Sequence, residues 1–316
     1  MTRRTEPLIR KVRSSGGKYP KGRINLPSRW INKEVIIAPK ESYVVLSKKD
    51  YKQMKKIFDN SMFLRELFES ILNSNSGSKM FSIVSKTWNP VTGCLHECSY
   101  CWARKLAETK LRNSHRYRKG FLPRLNENEF KAKFNEGDFI FVSDMGDLFG
   151  GFIPKKWILQ VLNYIRKFPK TYFLLLTKNP SRYKEFIEEF SENIILGTTI
   201  ETNKDDLYLE NKISKAPLPS VRYESFKEIK WSKKFVSIEP ILDFDLEEFA
   251  KWIEQIMPIM IYIGYDNYSN RLPEPPLSKT MKLISRLSKT TLVIKKTLRP
   301  AWYETLKQSV FLEDMK

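Results

Sequence analysis

The sequence of 316 residues contains little cysteine and histidine, with three of the first and two of the second. Cys94, Cys98 and Cys101 are the only cysteines, and all of them fall within eight residues. An odd number packed so tightly excludes a disulfide framework. It is typical of a metal or iron–sulfur site in a reducing compartment, and no cysteine is left for a second cluster.

Long apolar segments are also missing. No run approaches the roughly 18 residues that a membrane span needs. The basic N-terminus, MTRRTEPLIRKVRSS, lacks the apolar core of a signal peptide. With 41% hydrophobic residues the chain still has enough apolar material for a packed core. We therefore expect a folded cytoplasmic protein that does not enter a membrane.

Acidic residues are outnumbered, and the net charge is +20. Residues 1–60 hold 16 Lys and Arg against 5 Asp and Glu, and residues 102–135 hold 10 against 3. Positive charge clustered in this way is typical of proteins that bind phosphate backbones. The alternative is a basic surface that serves only solubility.

The composition of the chain predicts three parts. Residues 1–21 are polar and basic and indicate a flexible arm. Residues 22–73 predict a small β module followed by a helix, and residues 79–316 predict a larger α/β domain. In the small module the expected strands are 35–37 and 43–46, and the expected helix is 48–73.

In the larger domain, short apolar segments alternate with helical patterns. Each segment is apolar on both faces, as a strand inside a parallel sheet must be. Strands that alternate with helices predict βαβ units, and about six or seven of them predict a partial (β/α)6-type TIM barrel. The predicted strands are 81–84, 139–143, 172–177, 194–199, 235–238, 260–264 and 291–294. The predicted helices are 102–112, 155–167, 181–190, 245–255 and 278–287.

The cysteines follow the first predicted strand, in the stretch KTWNPVTGCLHECSYCWAR. Such a loop lies where barrels of this kind place their chemistry. Three thiolates at C-x3-C-x2-C spacing can each bind one iron of a cubane cluster and leave the fourth iron open. The alternative is a structural zinc held by the cysteines and His96. The spacing favours the cluster, because the paired-knuckle pattern of zinc sites is missing.

The C-x3-C-x2-C motif, with Tyr100 before its last cysteine, resembles that of the radical SAM family. The string TWNPVTGCxHxCxYC is similar to a radical-SAM-like family of phages, mobile elements and archaea. The similarity continues in order through FVSDMGDLF, LLLTKNP, LGTTIE and SIEPIL. A more distant similarity is to the spore photoproduct lyases, which repair a thymine lesion in DNA. The resemblance implies the radical SAM form of the partial barrel.

The resemblance also implies the cofactors and the residues that hold them. The three cysteines would bind a [4Fe-4S] cluster, and S-adenosyl-L-methionine (SAM) would bind the open iron. Reductive cleavage of SAM would yield a 5′-deoxyadenosyl radical, with flavodoxin or ferredoxin as electron donor. The implied SAM contacts are Tyr100 along the adenine, Ser143 at the methionine moiety, Lys178 at the carboxylate, Thr199 and Glu201 at the ribose, and Glu239 at an equivalent strand end. Ordinary alternatives are backbone hydrogen bonds or rim ion pairs.

Two basic segments are predicted to bind nucleic acid, either DNA or tRNA. The segment after the cysteines interleaves cations with aromatic residues, which suits a strand with stacked bases. GRINLPSRWINKEVII resembles the swapped-hairpin module of AbrB-like transcription factors, which implies DNA binding and a homodimer through this module. The predicted contacts are Arg23, Arg29 and Lys33 in the module, and Arg112, Arg116, Arg118, Lys119 and Arg124 after the cysteines. The alternative is a module that only packs on the barrel.

The sequence therefore predicts a radical SAM enzyme that modifies or repairs a nucleic acid. Two alternatives stay open. One is a non-enzymatic DNA-binding regulator with a structural zinc or a redox-sensing cluster. The other is a radical SAM enzyme that acts on a peptide or a small molecule.

Overall fold

The computed structural model describes residues 84–304 and the backbone of three short strands nearer the N-terminus. The chain divides into two compact units, Met1–Asn75 and Ser76–Lys316. In the first unit, strands β1, β2 and β3 form an antiparallel sheet in that order. Their bounds are Leu8–Lys11, Glu34–Ile37 and Tyr43–Val45.

Strands β2 and β3 lie where the sequence predicts them. Strand β1 falls inside residues 1–21, the segment predicted as a flexible arm, and pairs with β2 from Leu8 opposite Ile37 to Lys11 opposite Glu34. The predicted helix at 48–73 lies outside the described residues, as do Arg23, Arg29 and Lys33. The resemblance to AbrB-like modules, the homodimer and the predicted domain boundaries stay predictions.

The second unit is an α/β structure built on a parallel sheet. Its strands are β4 (Lys86–Trp88), β5 (Val91–Thr92), β6 (Arg124–Leu125), β7 (Phe139–Val142), β8 (Tyr172–Thr177), β9 (Ile194–Thr199), β10 (Lys234–Ile238), β11 (Met260–Ile263) and β12 (Leu292–Lys295). Its α-helices are α1 (Trp102–Glu108), α2 (Lys155–Ile165), α3 (Asp205–Glu210), α4 (Pro219–Glu228), α5 (Leu246–Ile256) and α6 (Leu277–Leu287). Two 3-10 helices span Glu127–Lys131 and Pro180–Glu189.

Seven strands form the main sheet in the order β12-β11-β10-β9-β8-β7-β4, and every neighbouring pair is parallel. Because chain neighbours are also sheet neighbours, every crossover steps in the same direction. Right-handed crossovers then place the helices on one face, and the sheet curls into a half-barrel whose two edge strands stay apart. This confirms the predicted fold class. Strands β5 and β6 pair separately as a small antiparallel ribbon.

One hydrophobic core joins the sheet to α2, α4, α5 and α6. Helix α2 shows why its sequence packs there. Its buried residues Ile158, Val161, Leu162 and Ile165 recur at intervals of three and four, so they share one helix face. No helix among the described residues is long and apolar enough to cross a membrane.

Several elements differ from the prediction. The first sheet strand is β4, and Val84 lies outside any strand, so the predicted 81–84 is wrong at its described end. Strand β4 is an edge strand with exposed Lys86 and Thr87, so it lacks the continuous apolar run of a central strand. Helices α3 and α4 were not predicted. Most of the helix predicted at 181–190 is a 3-10 helix.

Candidate active site at the cysteine loop

A cavity of about 820 Å³ opens at the carboxyl ends of the parallel strands. It is lined from strand β4 at one edge of the sheet to the residue after β12 at the other. Seven of the nine predicted cluster and SAM residues line it, although they come from four separate segments of the chain. They are Cys94, Cys98, Tyr100, Cys101, Lys178, Thr199 and Glu239.

The cysteine loop begins at a glycine that the local geometry requires. Gly93 has φ +84°, and a Cβ atom there would lie 2.1 Å from the carbonyl oxygen of Leu122. The N–H of Gly93 donates to the carbonyl of Met145 at 2.8 Å, and the N–H of Cys94 donates to that of Phe121 at 3.0 Å. The start of the loop is thereby fixed between two other segments.

Each cysteine sulfur contacts a different hydrogen-bonding group. The contacts are the His96 N–H to Cys94 Sγ at 3.4 Å, the Arg104 N–H to Cys101 Sγ at 3.3 Å, and Ser214 Oγ beside Cys98 Sγ at 3.1 Å. Burial raises the pKa of both the Cys94 and the Cys98 thiols. These two side chains are therefore thiols at neutral pH until a metal displaces their protons.

The three thiols and His96 do not form a closed four-ligand site. Among the described residues, no group of three or more His, Cys, Asp or Glu side chains is arranged to hold a metal ion. Nε2 of His96 is 2.9 Å from the Asp147 carboxylate, so its ring is engaged away from the sulfurs. With its ring bound to Asp147, His96 is not placed as the fourth ligand of a closed zinc site. Three soft thiolate donors on one loop suit an iron–sulfur cluster, which takes one iron per thiolate.

Beside the cysteines lies a completely buried carboxylate, Glu201. One of its oxygens accepts hydrogen bonds from the Tyr100 hydroxyl and the Lys178 ammonium, and the other lies 2.8 Å from the Arg222 guanidinium. Burial alone would raise the pKa of Glu201, but Arg222 and Lys178 outweigh it and lower the pKa to about 2. Glu201 is therefore ionised at every physiological pH.

This network changes what two predicted residues contact. Lys178, which the resemblance places at the SAM carboxylate, is paired with Glu201 and donates to the Tyr100 hydroxyl at 2.5 Å. Glu201, placed at the ribose, does not line the cavity, and its oxygens are occupied by other side chains. Tyr100 and Thr199 do face the cavity, and the Thr199 carbonyl accepts from Arg222.

Ser143 and Glu239 occupy different positions relative to the cavity. Ser143 is buried with φ +59°, its N–H donates to Trp88, and its carbonyl accepts from Gly146. It forms the turn after β7 and does not line the cavity. Glu239 lines the end away from the cysteine loop, 2.8 Å from the Lys296 ammonium, and burial raises the pKa of Glu239.

Asp147 is a buried residue that organises the neighbouring strand ends. Its carboxylate accepts from His96 Nε2, from the Thr177 hydroxyl at 2.6 Å and from the Lys178 N–H at 2.9 Å. Burial opposes ionisation, but His96 and these hydrogen bonds lower the pKa of Asp147. The position of Asp147 after a buried strand is a sequence signal for a site residue. The sequence does not indicate that Asp147 pairs with His96.

Two further residues were missed. Arg222, which pairs with Glu201, lies on the unpredicted helix α4. Ser214, which contacts Cys98, lies in the loop between α3 and α4. Neither residue belongs to a sequence motif. Each reaches the site through a contact with a residue distant in the sequence.

The predicted nucleic-acid segment is only partly exposed. Arg112, Arg118 and Lys119 are exposed, whereas Arg116 is paired with Glu129. Nη1 of Arg124 donates to the carbonyl oxygen of His115 at 2.5 Å.

The aromatic residues of that segment are in the core. Tyr117 and Phe121 are buried and stack on each other with their ring centroids 6.2 Å apart. The prediction that these two rings interleave with cations to stack bases is wrong, because both rings pack beneath the surface. Lys105, Thr109 and Lys110, by contrast, are exposed and line the cavity from one side of α1.

The fold and the site together define an α/β half-barrel with a three-cysteine loop at the carboxyl ends of its strands. Residues 78–255 match the family model described as "Protein of unknown function (DUF5131)". The chain belongs to this family. No curated protein sequence matches it.

The chain is also similar to solved structures of spore photoproduct lyase. A variant with bound AdoMet and dinucleoside spore photoproduct matches with a TM-score of 0.44 and 12% identity, over 65% of this chain and 62% of that chain. The lyase complexed with dinucleoside spore photoproduct matches with a TM-score of 0.43 and 12% identity, over 64% and 60%. The match thus spans less than two thirds of the lyase.

Proposed function

We propose that this protein is a radical SAM enzyme. Cys94, Cys98 and Cys101 would hold a [4Fe-4S] cluster, with SAM at the open iron. The observation that carries the proposal is the position of the three thiols: one loop, at the carboxyl ends of a parallel half-barrel, facing a cavity of about 820 Å³. The chemistry that such a cluster supplies is reductive cleavage of SAM to methionine and a 5′-deoxyadenosyl radical.

The chain's own residues divide into those that touch SAM and those that support them. Tyr100, Thr199 and Glu239 face the cavity and are proposed to contact the cofactor. Glu201 acts behind them, because it holds the Tyr100 hydroxyl and the Lys178 ammonium in place.

The wall of the cavity beside the cysteine loop is apolar. Trp102, Leu106 and Phe121 line it, and they give this side an apolar surface. A dry, walled site protects a reactive radical from side reactions. Flavodoxin or ferredoxin stays our expectation for the electron donor.

We propose a nucleic acid, DNA or RNA, as the substrate. Exposed Lys105 and Lys110 line the cavity, and exposed Arg112, Arg118 and Lys119 follow them along the chain. No ion pair within residues 84–304 uses any of these five cations, which supports their assignment to phosphate groups. Such a row of cations neutralises a phosphate backbone while a base reaches the cavity.

The alternatives differ in what they require of SAM. A regulator with a redox-sensing cluster would hold iron and sulfide but would not bind SAM. An enzyme for a peptide or small molecule would cleave SAM but would not bind nucleic acid in a salt-dependent way. The contact of His96 with Asp147 argues against the zinc form of the regulator, in which His96 would be the fourth ligand.

The test is anaerobic reconstitution with iron and sulfide, followed by EPR spectroscopy of the dithionite-reduced protein with and without SAM. We expect about four irons and four sulfides per chain and an EPR signal that changes when SAM is added. The Cys98→Ala variant should lose the cluster, whereas His115→Ala, at an exposed histidine, should keep it. Bound zinc, or a cluster whose signal ignores SAM, would contradict the proposal.

A further inference from the structure

His96 lies within the cysteine loop, between Cys94 and Cys98, yet only 6% of it is exposed. Its ring is held on two sides. Nε2 is 2.9 Å from an Asp147 carboxylate oxygen, and the ring meets Phe152 edge-on with a centroid separation of 5.2 Å. Since Asp147 follows β7, the ring ties the cysteine loop to the carboxyl end of the sheet.

The Asp147 carboxylate is itself fixed and cannot follow a moving loop. The oxygen that contacts His96 also accepts from the Lys178 N–H at 2.9 Å. The other oxygen accepts from the Thr177 hydroxyl at 2.6 Å and the Phe149 N–H at 3.1 Å. The Asp147 carboxylate is therefore held by residues at the end of β8 as well as by the loop after β7.

The backbone of His96 transmits this position to the sulfurs. Its N–H donates to Cys94 Sγ at 3.4 Å, and its carbonyl accepts from the Ser214 hydroxyl at 2.9 Å and the Lys215 N–H at 2.7 Å. The Ser214 hydroxyl in turn lies 3.1 Å from Cys98 Sγ. Fixing His96 thus fixes the surroundings of two of the three sulfurs.

We propose that His96, anchored by Asp147, is a positioning residue that orders the cysteine loop before a cluster is bound. A loop that is already ordered loses less conformational entropy when the cluster assembles. Groups that orient metal ligands in this way affect metal affinity by about 10–100-fold. The effect on the cluster rests on the proposed function, whereas the ordering of the loop does not.

The first measurement needs no cluster: amide hydrogen exchange of residues 94–101 in the apo protein. We expect exchange about tenfold faster in His96→Ala, because a hydrogen bond to an ionised partner is lost. His96→Gln should restore protection, since its amide nitrogen reaches the position of Nε2. His96→Asn, which is too short, should not. His115→Ala should match the wild type.

The second measurement uses the reconstituted protein and reads the EPR signal and midpoint potential of the cluster. We expect His96→Ala to take up iron about 10–100-fold less tightly and to give a broadened signal with a shifted potential. His96→Gln should return all three properties toward the wild type. If the alanine variant does not fold, the positioning role is tested by comparing His96→Gln with His96→Asn. Only the glutamine variant should keep the exchange protection and the EPR signal of the wild type.

The outcomes separate the two claims. Wild-type exchange and a wild-type EPR signal in His96→Ala and His96→Asn would overturn the positioning role. If the wild-type protein takes up no cluster but the exchange results hold, the proposed function fails and the ordering of the loop by His96 stands.

Discussion

The carboxylate of Glu201 lies 2.8 Å from the guanidinium of Arg222, and neither side chain has any exposed surface. The second Glu201 oxygen binds Lys178 and Tyr100. Glu201 is therefore the counter-charge of both Arg222 and Lys178, at a position where water cannot replace it. This network connects the cysteine loop, through Tyr100, to the ends of β8 and β9.

The first prediction concerns the stability that this anion gives to the fold. Replacing Glu201 by glutamine leaves the buried Arg222 without its counter-charge, so the free energy of unfolding should fall by about 3 kcal/mol. Urea denaturation at pH 7 measures it. The control is Glu228→Gln, which breaks the pair of exposed side chains with Lys184 and should change stability little. Equal effects of the two substitutions would contradict the account.

The second prediction concerns pH. The pKa of Glu201 is about 2 in the folded protein, below its ordinary value of 4.5. The stability gained from its ionisation is complete above pH 4.5 and is lost as the pH falls toward 2. The stability difference between the wild type and Glu201→Gln should therefore narrow below pH 4.5. A difference that stays constant down to pH 3 would show that Glu201 titrates normally.

The third prediction concerns the glycine at the start of the cysteine loop. Gly93 and Gly120 both have positive φ, so alanine at either costs about 1 kcal/mol in backbone conformation. Only at Gly93 would the new Cβ meet a backbone oxygen, that of Leu122 at 2.1 Å, whereas nothing lies within 4 Å at Gly120. Gly93→Ala should lose clearly more stability and most of its iron uptake. Similar melting temperatures and iron contents for the two variants would exclude this role for Gly93.

The fourth prediction concerns the substrate. Binding of a single-stranded oligonucleotide, followed by fluorescence anisotropy, should weaken as salt rises. Replacing both Lys105 and Lys110 by glutamine should reduce the slope of log K against log salt by about 1.4, since each phosphate contact on a single strand contributes about 0.7.

The matched control replaces Lys170 and Lys184, two exposed lysines paired with glutamates, and should leave the slope unchanged. Absence of salt-dependent binding to both DNA and tRNA would exclude a nucleic-acid substrate. The peptide or small-molecule alternative would then be favoured.

Six of the seven strands of the main sheet were predictable, including the edge strand β12, and the other edge strand, β4, was not. Residues 139–142 are buried on both faces, and their continuous apolar sequence predicts a central strand. Strand β4 pairs only with β7, and two of its three residues are polar and exposed, so its sequence resembles a loop. Helix α4 was missed because it has no regular apolar stripe, and one of its buried residues is Arg222.

Within the site, the sequence predicts which strand ends supply residues but not how those residues pair. Lys178 and Glu201 were each expected near SAM, but their mutual ion pair depends on distances that chain spacing does not contain. His96 was expected as a zinc ligand in one alternative, and its contact with Asp147 lies 51 residues along the chain. The aromatic residues Tyr117 and Phe121 were expected to stack on the bases of a bound nucleic acid. The turn after α1 instead packs both rings into the core.

The central claim is that this cavity cleaves SAM. The most direct measurement is chromatographic detection of 5′-deoxyadenosine after anaerobic reconstitution, dithionite reduction and incubation with SAM. We predict 5′-deoxyadenosine from the wild type and from His115→Ala, and none from Cys98→Ala. A wild-type protein that carries its cluster and leaves SAM intact would contradict the account.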